Sequence, residues 1–233
     1  MATTLACLLA RAGSVAGCWS SAAPMSRVAA TTTVAAMEFS EVVRRRRMVR
    51  NYDPAKPVTR ESLQRIAAAA QRAPSAGFSQ GQRLVIVTDP ARRQAIATIC
   101  HEPEYVDAGF DPWVSRAPAL IVPCVSEQIY HARYQEPDKL EDDGTETDWP
   151  IPYWYVDVGA TVMLILLAAI DEGLAAGFLG THRTADLQQE LGLPTDMVPV
   201  GVITIGYPLP DRRSGSLKRG WVKDSDFAHW ENW

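Results

Sequence analysis

Val156-Asp157-Val158-Gly159-Ala160-Thr161-Val162-Met163-Leu164-Ile165-Leu166-Leu167-Ala168-Ala169-Ile170-Asp171-Glu172-Gly173 runs directly into Leu174-Ala175-Ala176-Gly177-Phe178-Leu179-Gly180-Thr181. From Val156 to Glu172 the pattern is apolar on nearly every side of a helix, which puts that helix in the core or between subunits. Gly173 can end it. Ala175 to Leu179 then reads as a strand. The longest apolar run, Val158 to Ile170, has the length of a buried core helix and is too short for a convincing membrane span.

Working outward, the same alternation of helices and short strands recurs. A short helix is expected from about Phe39, ending before Asp53-Pro54. Thr59 is placed to cap a second helix, with Leu63, Ile66, Ala67 and Ala70 on one face and a stop at Ala73-Pro74. Leu84 to Thr88 reads as a buried strand, and Asp89-Pro90 opens a helix running towards Ile99. Ala119 to Val125 is a second buried strand, Ala185 to Leu191 a helix closed by Gly192, and Val200 to Tyr207 a last strand. Ser126 to Tyr155 is polar and aromatic and too long for a plain connection, so an insertion or lid is expected there. The tail from Pro208 is basic early and aromatic late. This pattern makes the chain α+β or α/β, without internal repeats.

The 233 residues suit one domain with a substantial core, 47% of them hydrophobic and 21% charged, with a net charge of −4. A scattered, mildly acidic charge gives no global reason to bind nucleic acid or an anionic membrane. Cys7, Cys18, Cys100 and Cys124 lack metal-ligand spacing, so no metal site is expected, and Cys100 and Cys124 read as buried thiols of a reducing compartment. Residues 1–36 are rich in Ala, Thr and Ser, with Arg11 and Arg27 as their only charges. They read as a transit peptide, a poor secretory signal, or an over-long start before a natural first residue at Met37, and disorder is expected in each case.

Arg44, Arg45, Arg46, Arg47 and Arg50 fall within seven residues. Such a run is either a solvated or nucleic-acid-binding face, or a set of guanidinium forks converging on a phosphate where a short helix breaks. The residues that follow favour the second reading. Arg46-Arg47-Met48-Val49-Arg50-Asn51-Tyr52 resembles the Arg-Arg-Ser-x-Arg-x-aromatic signature of the nitroreductase family, with Met48 in place of the serine. Ala73-Pro74-Ser75-Ala76-Gly77-Phe78-Ser79-Gln80 resembles that family's Ala-Pro-Ser-x-x-Asn-x-Gln-Pro-Trp segment, with Phe78 for the asparagine and Gly81-Gln82 for Pro-Trp. Asp157-Val158-Gly159, Glu172-Gly173-Leu174 and Gly177 to Thr181 resemble its buried helix and the strand after it. Ile205-Gly206-Tyr207-Pro208 and the later Lys218-Arg219 resemble its closing segment.

The resemblance spans about Met37 to Trp233 and implies a three-layer, nitroreductase-like fold, a central mixed sheet flanked by helices. It implies FMN as cofactor, with the phosphate and ribityl chain on Arg46, Arg47, Met48, Val49 and Arg50, completed by Arg219 with Lys218 beside it. Ser75, Ala76 and Gln80 would meet the flavin ring, and the backbone of Leu179, Gly180 and Thr181 would face its reactive nitrogen. Gly180 would permit close approach, while Arg212 and Arg213 read as a solvated turn. The implied activity is NAD(P)H-dependent reduction of a small acceptor such as a nitroaromatic, quinone or enone by ping-pong hydride transfer. NADPH or NADH would be the donor, and no side chain is expected to act as catalytic acid or base. The Met48 and Phe78 departures leave divergent chemistry open, such as dehalogenation, flavin breakdown or deazaflavin use. His131 and His182 are pocket candidates or ordinary surface histidines. Tyr134, Trp149, Tyr153 and Trp154 line a pocket or pack as lid aromatics. A cytoplasmic homodimer sharing each flavin site is also implied, with the apolar helix and Trp221, Phe227, Trp230 and Trp233 either at its interface or packed within one subunit.

Overall fold

The computed structural model describes residues 37–233, so the expectations for residues 1–36 lie outside the described residues. In chain order the elements are α1 (Phe39–Arg45), α2 (Arg60–Ala70), β1 (Gln82–Val87), α3 (Pro90–Ile99), α4 (Glu102–Asp107), β2 (Ala119–Val125), α5 (Glu127–Tyr134), α6 (Tyr153–Asp171), β3 (Ala175–Leu179), α7 (Thr184–Leu191), β4 (Val198–Pro199), β5 (Val202–Gly206) and α8 (Asp224–Phe227). Single 3-10 turns lie at Ala76–Phe78 and Gly215–Arg219.

The sheet runs β1-β2-β5-β3, with β4 paired to β2. Each of these pairings is antiparallel, a narrower arrangement than the mixed sheet expected. The three layers follow from the period of the strands. On β2, Leu120, Val122 and Cys124 face α3 and α7, where Ile96 and Leu187 are fully buried. Ala119 and Ile121 face the other way, onto Leu63 and Ile66 of α2 and Ile165 and Leu166 of α6. Each such Leu, Ile or Val side chain contributes about 1.5–3 kcal/mol by leaving water. A strand buried on both faces reads as one apolar run, which is why Ala119 to Val125 was legible.

Local signals set most element ends. Thr59 accepts from the Ser62 amide at 3.2 Å, making the cap expected from sequence, and Asp89 accepts from the Arg92 amide at 2.8 Å, capping the helix expected to open there. By length and composition α6 could cross a membrane. Instead, Val158, Val162, Ile165, Leu166 and Ala169 are buried in this chain's core, while Tyr155, Val156 and Met163 are exposed.

Three expectations differ. α1 stops at Arg45, because Arg46 onward is drawn out as extended chain along β3: the Val49 amide donates to the Ala176 carbonyl at 3.1 Å. Helix α4 was not expected; its Glu102 is buried and accepts from the amides of Val114 at 2.5 Å and Ser115 at 3.1 Å. The stretch expected as an insertion from Ser126 opens with helix α5, whose Tyr130 is fully buried, and closes where α6 begins at Tyr153.

Candidate functional site

The five arginines divide into three sets by their partners. Arg44 donates to Glu41 at 2.6 Å and Arg45 donates to the same carboxylate, holding Glu41 down to about 2. Arg47 donates to Asp211 at 2.6 Å, and Asp211 also accepts the Arg50 amide at 2.9 Å. Among the described residues no carboxylate pairs with Arg46, Arg50 or Arg213. These three line one cleft of about 460 Å³ with Arg47, Ser214 and Trp221. Unpaired guanidiniums around a common space, with hydroxyls beside them, suit a phosphate or another oxyanion.

The extended arm behind the cleft is fixed before anything binds. Val49 is buried, so it shapes the arm from the core side and does not face the cleft. Gly177 makes the contact possible, since a Cβ there would lie 2.4 Å from the Val49 carbonyl oxygen. Met48, expected to offer only its backbone in place of a serine hydroxyl, accepts the Phe178 amide on its thioether sulfur at 3.3 Å. Tyr52 closes the arm beneath the sheet, its hydroxyl donating to the Val49 carbonyl at 2.9 Å and meeting the Thr204 hydroxyl at 2.7 Å.

On the far side of the arginines the tail differs from expectation. Arg213, read from sequence as part of a solvated turn, lines the cleft, while Arg212 lies over the Phe110 ring at 4.9 Å. Lys218 and Arg219 sit on the turn Gly215–Arg219, exposed, and its earlier residues Ser216 and Leu217 reach the cleft. No sequence signal separated Arg213 from Arg212: both are exposed, and Asp211 just before them is tied to the arm through Arg47 and the Arg50 amide.

The Ser75–Gln80 loop is assembled elsewhere. The Ala76 amide donates to Asp157 at 2.8 Å, Ser75 Oγ accepts the Gln80 amide at 2.9 Å, and Tyr130 donates to the same Asp157 oxygen at 2.9 Å. Asp157 belongs to the first turns of α6, whereas α1 and the arm lie by its last turn, where the Met37 amide donates to Asp171. About 21 Å of helix separates Asp157 from Asp171, at 1.5 Å per residue. Within one chain, the arginine cleft and the Ser75–Gln80 loop therefore occupy opposite ends of α6.

At the end of β3, Leu179 is half-buried, Gly180 is exposed with open space where a Cβ would stand, and Thr181 Oγ1 accepts the Arg183 amide at 3.1 Å. His182 is exposed. His131 instead bridges Glu146 at 2.5 Å and Glu127 at 3.4 Å, and the Glu146 hydrogen bond raises its pKa against the effect of burial. Trp149 donates to Glu146 at 2.7 Å and stacks edge-on against Tyr134 at 4.5 Å, with Trp154 at 5.7 Å. These aromatics pack on one another and hold the segment after α5 in place. Among the described residues no metal-binding cluster occurs.

The chain belongs to the nitroreductase family, whose profile matches residues 43–207. It is 25% identical over 179 residues to an Archaeoglobus fulgidus protein named as an NADH dehydrogenase/NAD(P)H nitroreductase, covering 75% of this chain and 88% of that one. It is 26% identical over 164 residues to a Bacillus subtilis FMN reductase [NAD(P)H], covering 70% of this chain and 62% of that one. A protein from Exiguobacterium sibiricum, described as a nitroreductase and solved in complex with FMN, shares the fold with a TM-score of 0.66 at 21% identity, over 86% of this chain and all of that one.

Proposed function

We propose that the chain is an NAD(P)H-dependent FMN oxidoreductase that reduces a small acceptor such as a nitroaromatic, quinone or enone. The observation that carries this reading is the cleft in which Arg46, Arg50 and Arg213 lack carboxylate partners among the described residues. The residues fit the group: guanidiniums and the Ser214 and Ser216 hydroxyls supply donors for a phosphate, each charged hydrogen bond contributing about 1.5–3 kcal/mol. Bound FMN would supply the two-electron chemistry, accepting hydride from NADPH or NADH and passing it on. The protein's part is to bind and orient. The β3 edge fixes the arm that carries Arg46 and Arg50. Leu179 to Thr181 present backbone beside open space, and Ser75, Ala76 and Gln80 form a second, independently clamped edge.

A homodimer is part of the proposal. The cleft and the loop lie at opposite ends of α6, so a second copy packed antiparallel along that helix brings one chain's loop to the other's cleft. The exposed Tyr155, Val156 and Met163 of α6 support this reading, as do the exposed Trp221, Phe227, Trp230 and Trp233 of the tail. A cytoplasmic location is in keeping with free, buried Cys100 and Cys124.

The test is an absorption spectrum of the purified protein before and after anaerobic addition of NADPH or NADH. Flavin bands that bleach are expected, and the donor that bleaches them faster at equal concentration is the preferred one. A colourless protein that takes up no added FMN would overturn the proposal.

A further inference from the structure

The loop clamped by Asp157 carries an unusual burden at Phe78. Gly77, Phe78 and Gln80 have φ of 58°, 57° and 53°, the left-handed region. Glycine enters it freely, whereas a bulky aromatic residue is an outlier there. The surroundings enforce it. The Phe78 amide donates to the Ser75 carbonyl at 2.9 Å, Arg133 Nε to the Gly77 carbonyl at 3.0 Å, and Arg83 Nη1 to the Gln80 carbonyl at 2.7 Å. Tyr134 closes the space over Gly77, where a Cβ would lie 2.6 Å from its ring. All this constraint holds outward a ring that is 75% exposed and gains nothing from the core. Strain of this kind persists at sites where a side chain must be presented.

Phe78 stands on a cavity of about 660 Å³ whose lining includes Ala70, Ser79, Gln80, Gln82 and Arg83. Small apolar residues on the floor and amide and guanidinium donors on the wall suit a flat ring that carries oxygen acceptors. We propose that Phe78 is a specificity-determining residue of the reaction: its ring stacks on the plane of an aromatic acceptor whose carbonyl or nitro oxygens meet Gln80 and Arg83. The proposal rests on reading Ser75–Gln80 as the flavin-facing loop of the site.

The test compares the full-length wild type with Phe78→Asn and Phe78→Tyr, each loaded with FMN, using a naphthoquinone and a non-aromatic cyclic enone as acceptors. Asn accepts a left-handed backbone more readily, so folding is retained and the thermal midpoint should hold or rise. Phe78→Asn should raise KM for the quinone about ten-fold with a smaller change in kcat, and lower the quinone-to-enone ratio of kcat/KM by a similar factor. Phe78→Tyr should keep the wild-type ratio. Flavin absorbance and sedimentation are read on the same samples. An unchanged ratio in flavin-loaded Phe78→Asn would overturn the proposal, as would dissociation of that variant, which would make Phe78 an assembly residue. A colourless wild type would instead take down the flavin reading on which the proposal rests.

Discussion

Replacing Asp157 by alanine should destabilise the fold by about 3–6 kcal/mol, and replacing it by asparagine by only about 1–2 kcal/mol. One carboxylate oxygen accepts both the Ala76 amide at 2.8 Å and the Tyr130 hydroxyl at 2.9 Å, in a side chain that is nearly buried. Each hydrogen bond to a charged group is worth roughly 1.5–3 kcal/mol, and alanine leaves both donors without a partner. The loss should fall toward the lower end, because removing the carboxylate also removes the cost of keeping a charge away from water. Because both bonds converge on a single oxygen, an asparagine amide oxygen can occupy its place and lose only the charge assistance. Urea unfolding followed by tryptophan fluorescence, at one fixed protein concentration, measures both variants. Equal losses for alanine and asparagine would mean that charge, not this geometry, holds the loop; a loss below about 1 kcal/mol for alanine would mean that the clamp is not made.

Three further outcomes are expected. Arg213→Ala should weaken FMN binding about 10- to 100-fold and Arg219→Ala far less, measured by flavin fluorescence titration; the reverse order would return the phosphate contact to the turn. Met48→Leu keeps the volume but removes the sulfur acceptor, so it should cost under about 1.5 kcal/mol while the Phe178 amide exchanges faster; unchanged exchange would remove the thioether from the arm's anchorage. His131, whose pKa is raised chiefly by its hydrogen bond to Glu146, contributes stability that is full below about pH 6.5 and lost as pH rises through the raised value. Trp149 donates to that same carboxylate, so its fluorescence should titrate in this window, and a midpoint at or below the ordinary histidine value would refute the pairing.

Much of this fold is written locally. Thr59 and Asp89 cap the helices expected after them, and Ala119–Val125 and Ala175–Leu179 are strands over the ranges their apolar runs indicate. The missed helices lacked such local signals. α5 buries only Tyr130 among its eight residues, and α4 depends on Glu102 capturing two distant amides. The site follows the same division. Motif spacing picked out Arg46, Arg47 and Arg50; Glu41 takes Arg44 and Arg45 locally, three and four residues along one helix, but that Asp211 takes Arg47 is a tertiary fact. Gly180 was expected to allow a close backbone approach, yet the approach within this chain is at Gly177, where only the folded arm supplies the neighbour.

That arm has a second consequence. β3 is the outer strand of the sheet, and on its outer edge the Ala176 carbonyl is taken up by the Val49 amide and the Phe178 amide by the sulfur of Met48. The segment that aims the arginines thus also seals an open strand edge, which left bare is a template for other chains. Substitutions that loosen it should appear in the cell as insoluble protein before they appear as slow enzyme. Selection for solubility alone would then preserve Met48, Val49 and Gly177, and with them the geometry of the cleft.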